Sequence, residues 1–444
     1  MTSYYVRLAI MSFKRNPGLT ALMVLAIGLG IAVCVITLTM YRAMAGNPIW
    51  WKDSRLYAVT LDSWDPQEAA DEDKPHLPPP QLTYKDAIAL YASDIPERKL
   101  IMYIAPGVMA GGTAERKPVR ANARLTTADF FSMFETPFLY GSGWNEAADA
   151  GPEPVIVLGK AQNDTLFGGE NSVGRTVRWN DREFRIIGVL DGWMPLPKWY
   201  DLNNGSLNEG EDVYVPFRWG PNLELFSGGS TNCWKPELVE NYAQFLGSEC
   251  VWIQMWVELP SADARARMRS YIDGYVSEQR KAGRFERPLN NRLTPPSQWL
   301  IDNEVVSSDN RVLVGLAFAF LAVCLINTVG LLLAKFLNGA TIAGVRRALG
   351  ASRRHIFLQH LTEVGVVAVA GALFGLVLGA LGLWGLRALY ADPTRAGGYQ
   401  AVAYVDTTSV IAALVLAVVA AIAAGLYPAW RIGRLPPASY LKSQ

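Results

Sequence analysis

Apolar positions along this chain follow two different rhythms. Four charge-free runs, Pro17–Tyr41, Val312–Ala334, Val364–Leu386 and Thr407–Trp430, have no polar face. A hydrocarbon layer of ~30 Å takes ~20 residues of helix to cross. Each run therefore predicts a transmembrane helix, with spans at 17–43, 307–337, 361–389 and 407–429. Asn16-Pro17 supplies a helix cap and a first-turn proline for the first span. That run is long for a signal segment and has no clear small-residue cleavage site after it, so it reads as a retained anchor.

The block between the first two spans, 44–306, alternates short strand and helix patterns with Pro/Gly punctuation. Arg55–Leu61, Leu100–Pro106 and Val119–Leu125 predict strands. Leu82–Ser93 predicts a helix capped by Thr83, and Thr127–Phe134 a short helix with Asp129 in its first turn. Arg175–Trp179 and Glu183–Leu190 flank Asn180-Asp181, a hairpin signal. Val213–Pro216 and the apolar, aromatic Val251–Leu259 follow as strands, and Ser261 opens the longest soluble helix, Ala262–Lys281. The pattern is an α+β domain with a β-rich insertion over about 137–249. Asp71–Pro80, acidic and then proline-rich, predicts an exposed stiff loop.

Charge gives the orientation. Segments 1–16, 335–362 and 431–444 hold eleven Lys/Arg and no Asp or Glu, whereas 44–311 holds 27 basic and 37 acidic residues. Basic loops stay cytoplasmic during insertion. Both termini are thus expected in the cytoplasm, with the large domain on the other side. The near-neutral total conceals this polarity and gives no sign of a nucleic-acid partner. Cys34 and Cys324 lie inside apolar runs, where a thiol is a small apolar filler. Cys233 and Cys250 lie in the large domain, where an oxidising compartment would join them; two separate buried thiols are the alternative.

Recognisable active-site chemistry is sparse. The only Gly-Lys, Gly159-Lys160, is followed by Ala161, so no nucleotide-cradling Gly-x-x-x-x-Gly-Lys-[Ser/Thr] occurs. His76, His355 and His360 have no metal-ligand spacing. No catalytic residue and no metal site are expected. Gly371, Gly375 and Gly379 recur every four residues in the third span and would admit a close neighbouring helix, either within the chain or in a second copy. Asn327 and Thr328 stand out as polar and would serve hydrogen bonds between helices.

Between the second and third spans lies Gly344-Val-Arg-Arg-Ala-Leu-Gly-Ala-Ser-Arg-Arg354. Val345, Ala348 and Leu349 give it an apolar stripe, Arg346, Arg347 and Arg353 its charge, and Gly344 and Gly350 its punctuation. A basic, lipid-facing loop has the same composition. The wording, however, resembles the cytoplasmic loop of the FtsX-like permease family. Tyr427-Pro-Ala-Trp-Arg431 is similar to that family's end of the last span, and Asn16-Pro-Gly-Leu-Thr20 to the start of its first. Asp129-Phe-Phe-Ser-Met-Phe134, Gly141-Ser-Gly-Trp144 and Leu166-Phe-Gly-Gly-Glu170 resemble the MacB-like periplasmic core.

The chain thus resembles the MacB/FtsX-like (type VII) ABC permease family without a fused ATPase, a layout similar to LolC and LolE. The resemblance implies an α-helical membrane protein with four transmembrane helices and an α+β periplasmic domain, porter-like with a β-rich insertion. It places the protein in the inner membrane of a Gram-negative bacterium. It further implies a cytoplasmic N-terminal interfacial helix at 1–16, a coupling helix at 338–360, a short periplasmic loop at 390–406 and a cytoplasmic tail at 430–444. Residues 344–350 and Arg353 would dock on a separate homodimeric ABC ATPase, which would hold the ATP and Mg. A second permease chain would complete the complex. That chain would be a second copy or a different permease: Ile342 stands where the family often carries Glu, as one half of an unequal pair would, and neutral drift is the alternative. The expected activity is non-catalytic mechanotransmission that exports peptide, antibiotic or lipid-linked cargo, with a periplasmic adaptor and outer-membrane channel as further partners. The rival expectation is a transmitter that activates a periplasmic partner and moves no cargo.

Overall fold

The computed structural model describes residues 5, 8, 11–13, 16–111, 118–151, 153–206, 210–306, 308–338, 345–346, 349–389, 411, 415, 419, 425–426 and 428. They form two compact units, Met1–Ala45 with Val306–Gln444, and Gly46–Val305.

In the helical unit, three helices among the described residues are long and apolar enough to cross a membrane: Pro17–Ala45, Ser308–Asn338 and Arg353–Leu389. The fourth expected span, 407–429, lies outside the described residues except for a few isolated helical positions, as do 390–406 and 430–444. The expected N-terminal helix, 1–16, is described only at scattered positions. The first long helix packs on both others, burying Met23, Ile27 and Ile31 with Leu321, Val367 and Ala372. Thr328 departs from expectation. Its hydroxyl donates to the Cys324 carbonyl of its own helix at 2.8 Å, the common back-bond of a threonine inside a helix.

The third long helix begins at Arg353, not at 361. Ser352 is the reason: its hydroxyl accepts the His355 N–H at 3.3 Å, so the helix is capped before the apolar run starts. The second and third long helices run past the charge-free stretches and carry Lys335 and Glu363, each one residue beyond them. Both side chains are buried.

The globular unit is built on one sheet. Its strands among the described residues are β1 Leu56–Thr60, β2 Arg98–Ala105, β3 Val108–Gly111, β4 Val119–Arg120, β5 Ala123–Thr126, β6 Phe138–Gly141, β7 Val155–Leu158, β8 Thr176–Trp179, β9 Arg182–Leu190, β10 Val213–Pro216, β11 Gln254–Glu258 and β12 Arg292–Thr294. They run in the order β12-β1-β11-β2-β5-β10-β7-β9-β8-β3-β4, with β6 beside β9. Side chains alternate across the first part of the sheet, as strand geometry requires. Tyr57, Val59, Ile101, Tyr103, Met255 and Val257 share one face with the helices Tyr84–Tyr91 and Ala262–Lys281. Leu56, Ala58, Leu100, Met102 and Trp256 share the other with a dense aromatic group that includes Phe130, Phe134, Trp199 and Tyr200.

The stretch 137–249, expected to be β-rich, also contains the helices Glu146–Ala150, Lys160–Phe167 and Tyr242–Gly247. Its strands join the common sheet: β10 pairs in parallel with β5 and antiparallel with β7. These helices escaped the pattern because five to eight residues are too few to establish a helical period. The hairpin expectation holds, with Asn180 and Asp181 both at positive φ between β8 and β9, as a two-residue turn demands.

Among the polar clusters of this unit, two tie distant segments together. In the first, Arg124 on β5 is fully buried and contacts Asp201 and Glu211. Lys198 Nζ lies 2.7 Å from Glu211, and Tyr200 and Tyr214 donate hydroxyls to it at 2.9 and 3.0 Å. Burial alone would raise the Glu211 carboxyl, but the Arg124 and Lys198 charges reverse this and leave it well below the usual carboxylate range. Two cations thus face two anions, the condition under which buried charge is tolerable. In the second cluster, Arg284 forks onto Asp86 at 2.8 and 2.8 Å and onto Glu249 at 2.8 and 3.0 Å. Glu249 adjoins Cys250, which is bonded to Cys233. Covalent and ionic ties therefore anchor the same loop. A closed loop of this size restricts the unfolded chain by about 3 kcal/mol.

Asp149 accepts the Ala128 N–H at 2.6 Å and the Trp144 indole N–H at 2.8 Å. Burial, with Asp129 and Glu146 nearby, pushes its carboxyl up to about 6.

Two outcomes follow for the purified full chain in detergent. Alkylation without reductant should modify neither Cys233 nor Cys250, and non-reducing peptide mapping should find them joined. The folded Asp149 carboxyl keeps its proton to higher pH than the unfolded chain does, so its contribution is full below about pH 4 and is lost as pH rises through about 6. Urea denaturation should show wild type losing more stability than Asp149→Asn between pH 4.5 and 7.5; equal losses would place the Asp149 carboxyl at its ordinary value.

Candidate coupling segment

Among the expected coupling residues, Val345, Arg346, Leu349, Gly350 and Arg353 are described, while Gly344, Arg347 and Ala348 lie outside the described residues. The described ones form a single helical turn with a defined stop. The Leu349 N–H donates to the Val345 carbonyl at 3.0 Å, and the Ala351 N–H reaches back to the Arg346 carbonyl at 3.0 Å. Gly350 between them sits at φ +98°. This is the six-to-one closure of a left-handed helix end, a conformation that glycine adopts without steric cost. The turn leaves Leu349 84% exposed and Val345 43% exposed. Arg346 does not extend freely: its Nη1 donates to Gln359 Oε1 on the third long helix at 2.8 Å. Arg353, the first residue of that helix, is exposed. The segment therefore presents two apolar side chains with cationic groups beside them, on a turn tethered at Gln359.

Behind the turn lies a polar cluster that pattern reading missed. Lys335, in the last turn of the second long helix, places Nζ 2.6 Å from Glu363 Oε1 on the third. Ser12 donates its hydroxyl to the same carboxylate, and His360 Nδ1 lies 3.6 Å from its other oxygen. The Lys335 ammonium also donates to Thr20 Oγ1 at 3.5 Å and sits 4.9 Å from the centre of the Phe13 ring. One signal could have revealed it. Glu363 is the residue immediately before the third charge-free run, next to a connector with no acid.

The glycines Gly371, Gly375 and Gly379 of the third helix face the first helix of the same chain. A Cβ at Gly371 would stand 2.8 Å from Ile27 Cγ2, and one at Gly375 would stand 2.7 Å from the Gly28 carbonyl oxygen. Neither approach admits a side chain. At Gly379 the nearest atom, Val35 Cγ1, is 3.5 Å away, so that position only matches its neighbour's shape.

Sequence comparison identifies two family regions. Residues 20–275 match the MacB-like periplasmic core domain, and residues 314–437 match the FtsX-like permease C-terminal region. Among curated proteins, the pyoverdine export ATP-binding/permease protein PvdT of Pseudomonas aeruginosa is 24% identical over 435 residues, covering 96% of this chain and 56% of that protein. The macrolide export ATP-binding/permease protein MacB of Wolinella succinogenes is 25% identical over 336 residues, covering 72% of this chain and 43% of that protein. The chain spans about half the length of these relatives. Among solved structures, the periplasmic region of MacB from Actinobacillus actinomycetemcomitans aligns at 14% identity and a TM-score of 0.36, covering 56% of this chain and 92% of that one. With a MacB-like core domain matched over more than half its length and an FtsX-like region after it, the chain belongs to the MacB/FtsX-like family of ABC transporter permeases.

Proposed function

We propose that this chain is a non-catalytic permease subunit that passes the motion of an ABC ATPase to its α+β domain, and that the work is done outside the cytoplasmic membrane. Both termini and the turn around Leu349 face the cytoplasm in this reading, which the charge asymmetry of the connectors supports. Two permease chains sit over two ATPase subunits, which hold ATP and Mg. Nucleotide-driven closure of the ATPases displaces the coupling turn, and the first and second long helices, which border the α+β domain in sequence, carry the displacement across. The cargo is periplasmic and of the peptide, antibiotic or lipid-linked kind, handed on through an adaptor and an outer-membrane channel. Relatives whose names describe pyoverdine and macrolide export support transport over pure signalling.

The observation that carries the proposal is Leu349. A leucine 84% exposed on a glycine-terminated turn, connecting two helices of membrane-crossing length, has a purpose if an apolar groove of a partner covers it. Arginines beside such a contact sit at its rim, where solvated charge contributes little.

The test begins with purification of the chain from native membranes and mass spectrometry of the ABC ATPase retained with it. Leu349→Asp should then insert normally but hold that ATPase at least about tenfold more weakly, because the contact would bury an unpaired carboxylate. It should also lose stimulated ATP hydrolysis. Arg353→Ala should change retention by no more than about threefold. Full coupling by Leu349→Asp would reduce the segment to a basic, lipid-facing loop.

A further inference from the structure

The polar cluster behind the coupling turn ties together four parts of the chain that need not otherwise move as one. Glu363 belongs to the third long helix, Lys335 to the second, Thr20 to the first, and Ser12 with Phe13 to the segment before the first. The Lys335 and Glu363 side chains are only 3% and 5% exposed. The residues between them, 336–362, include the whole coupling turn. The pair therefore closes the base of the loop that carries Leu349. A second tie, Arg346 to Gln359, secures the turn to the third helix one helical turn before Glu363.

Elsewhere the long helices meet largely through apolar surface and glycine, as at Gly371 and Gly375. Such contacts resist separation but not sliding, because dispersion and burial have little direction. A charge pair in a medium of low dielectric is directional and is costly to pull apart. We infer that Lys335 and Glu363 are positioning residues for transmission: they make the second and third long helices respond together when the coupling turn is displaced. Ser12, Thr20 and Phe13 extend the same tie to the first helix. This inference rests on the mechanotransmission reading above and adds to it the residues that join the input to the helices.

The alternative is that the pair only stabilises the fold, and the two roles separate in one experiment. Removing one partner would leave an unpaired buried charge and could prevent folding, whereas replacing both by apolar residues of similar volume is often neutral or stabilising. The decisive variant is thus Lys335→Met with Glu363→Met, compared with wild type and with the exchanged pair Lys335→Glu, Glu363→Lys. Each full-length chain is reconstituted with its ATPase in nanodiscs. Hydrogen exchange across 46–305 is measured with and without ATP and vanadate, alongside ATPase retention and thermal stability. The double-Met variant should match wild type in stability and ATPase retention, yet lose at least about four-fifths of the nucleotide-dependent change in exchange. The exchanged pair should recover more than half of it. A double-Met variant with the full nucleotide response overturns the inference, because a structural role alone predicts that result. Loss without recovery in the exchanged pair also overturns it, since packing rather than charge would then be responsible. A wild-type domain that ignores nucleotide would overturn the mechanotransmission reading itself, and this inference with it.

Discussion

Hydrocarbon offers no hydrogen-bond partner, so a polar group in the helical unit must find its partner within the protein or at the membrane surface. That constraint explains most of the unit. Backbone groups are satisfied inside the long helices, and Thr328 returns its hydroxyl to Cys324 of its own helix. Lys335 and Glu363, each one residue outside a charge-free run, meet each other and recruit Ser12, Thr20 and His360 around them. With polar contacts confined largely to one end, the close approach elsewhere depends on missing side chains, most clearly where Gly375 faces the Gly28 carbonyl.

The globular unit meets the opposite problem. It buries charge in a water-exposed domain, where alternatives to pairing are abundant. Arg124, Lys198, Asp201 and Glu211 are balanced two against two, with tyrosine hydroxyls completing Glu211. Such a cluster contributes little net stability compared with an apolar core, but its geometry tolerates few rearrangements. Here it joins β5 to the segments around Tyr200 and Glu211 that lead into β10. The Arg284 fork and the Cys233–Cys250 bond do the same for the loop before β11. A sheet fastened in this way resists local rearrangement.

Much of this was legible in the residues, and what was not has identifiable causes. Strongly periodic elements were found close to their true ends: Ser261 caps the helix Ala262–Lys281 as expected, and Thr83 caps Tyr84–Tyr91. The disulfide followed from there being two cysteines outside the apolar runs. Short polar helices such as Lys160–Phe167 were not legible, because two turns give too few positions to establish a period. The start of the third long helix was misjudged because hydropathy marks where a helix turns apolar, not where it is capped. The polar cluster escaped notice because the charge-free runs stop one residue short of both Lys335 and Glu363, and sequence distance hides that the two meet. For the coupling turn, composition was ambiguous between a lipid-facing loop and a docking surface. The exposure of Leu349 and the left-handed stop at Gly350 are conformational facts that composition does not contain.

The central claim is that the turn between the second and third long helices is where an ATPase pushes. Photo-crosslinking in native membranes tests it most directly, with benzoylphenylalanine in place of Leu349 in the full-length chain and the adducts identified by mass spectrometry. The account predicts one dominant protein adduct, to an ABC ATPase, with a yield that changes when ATP and vanadate are added. Adducts to lipid alone would contradict it.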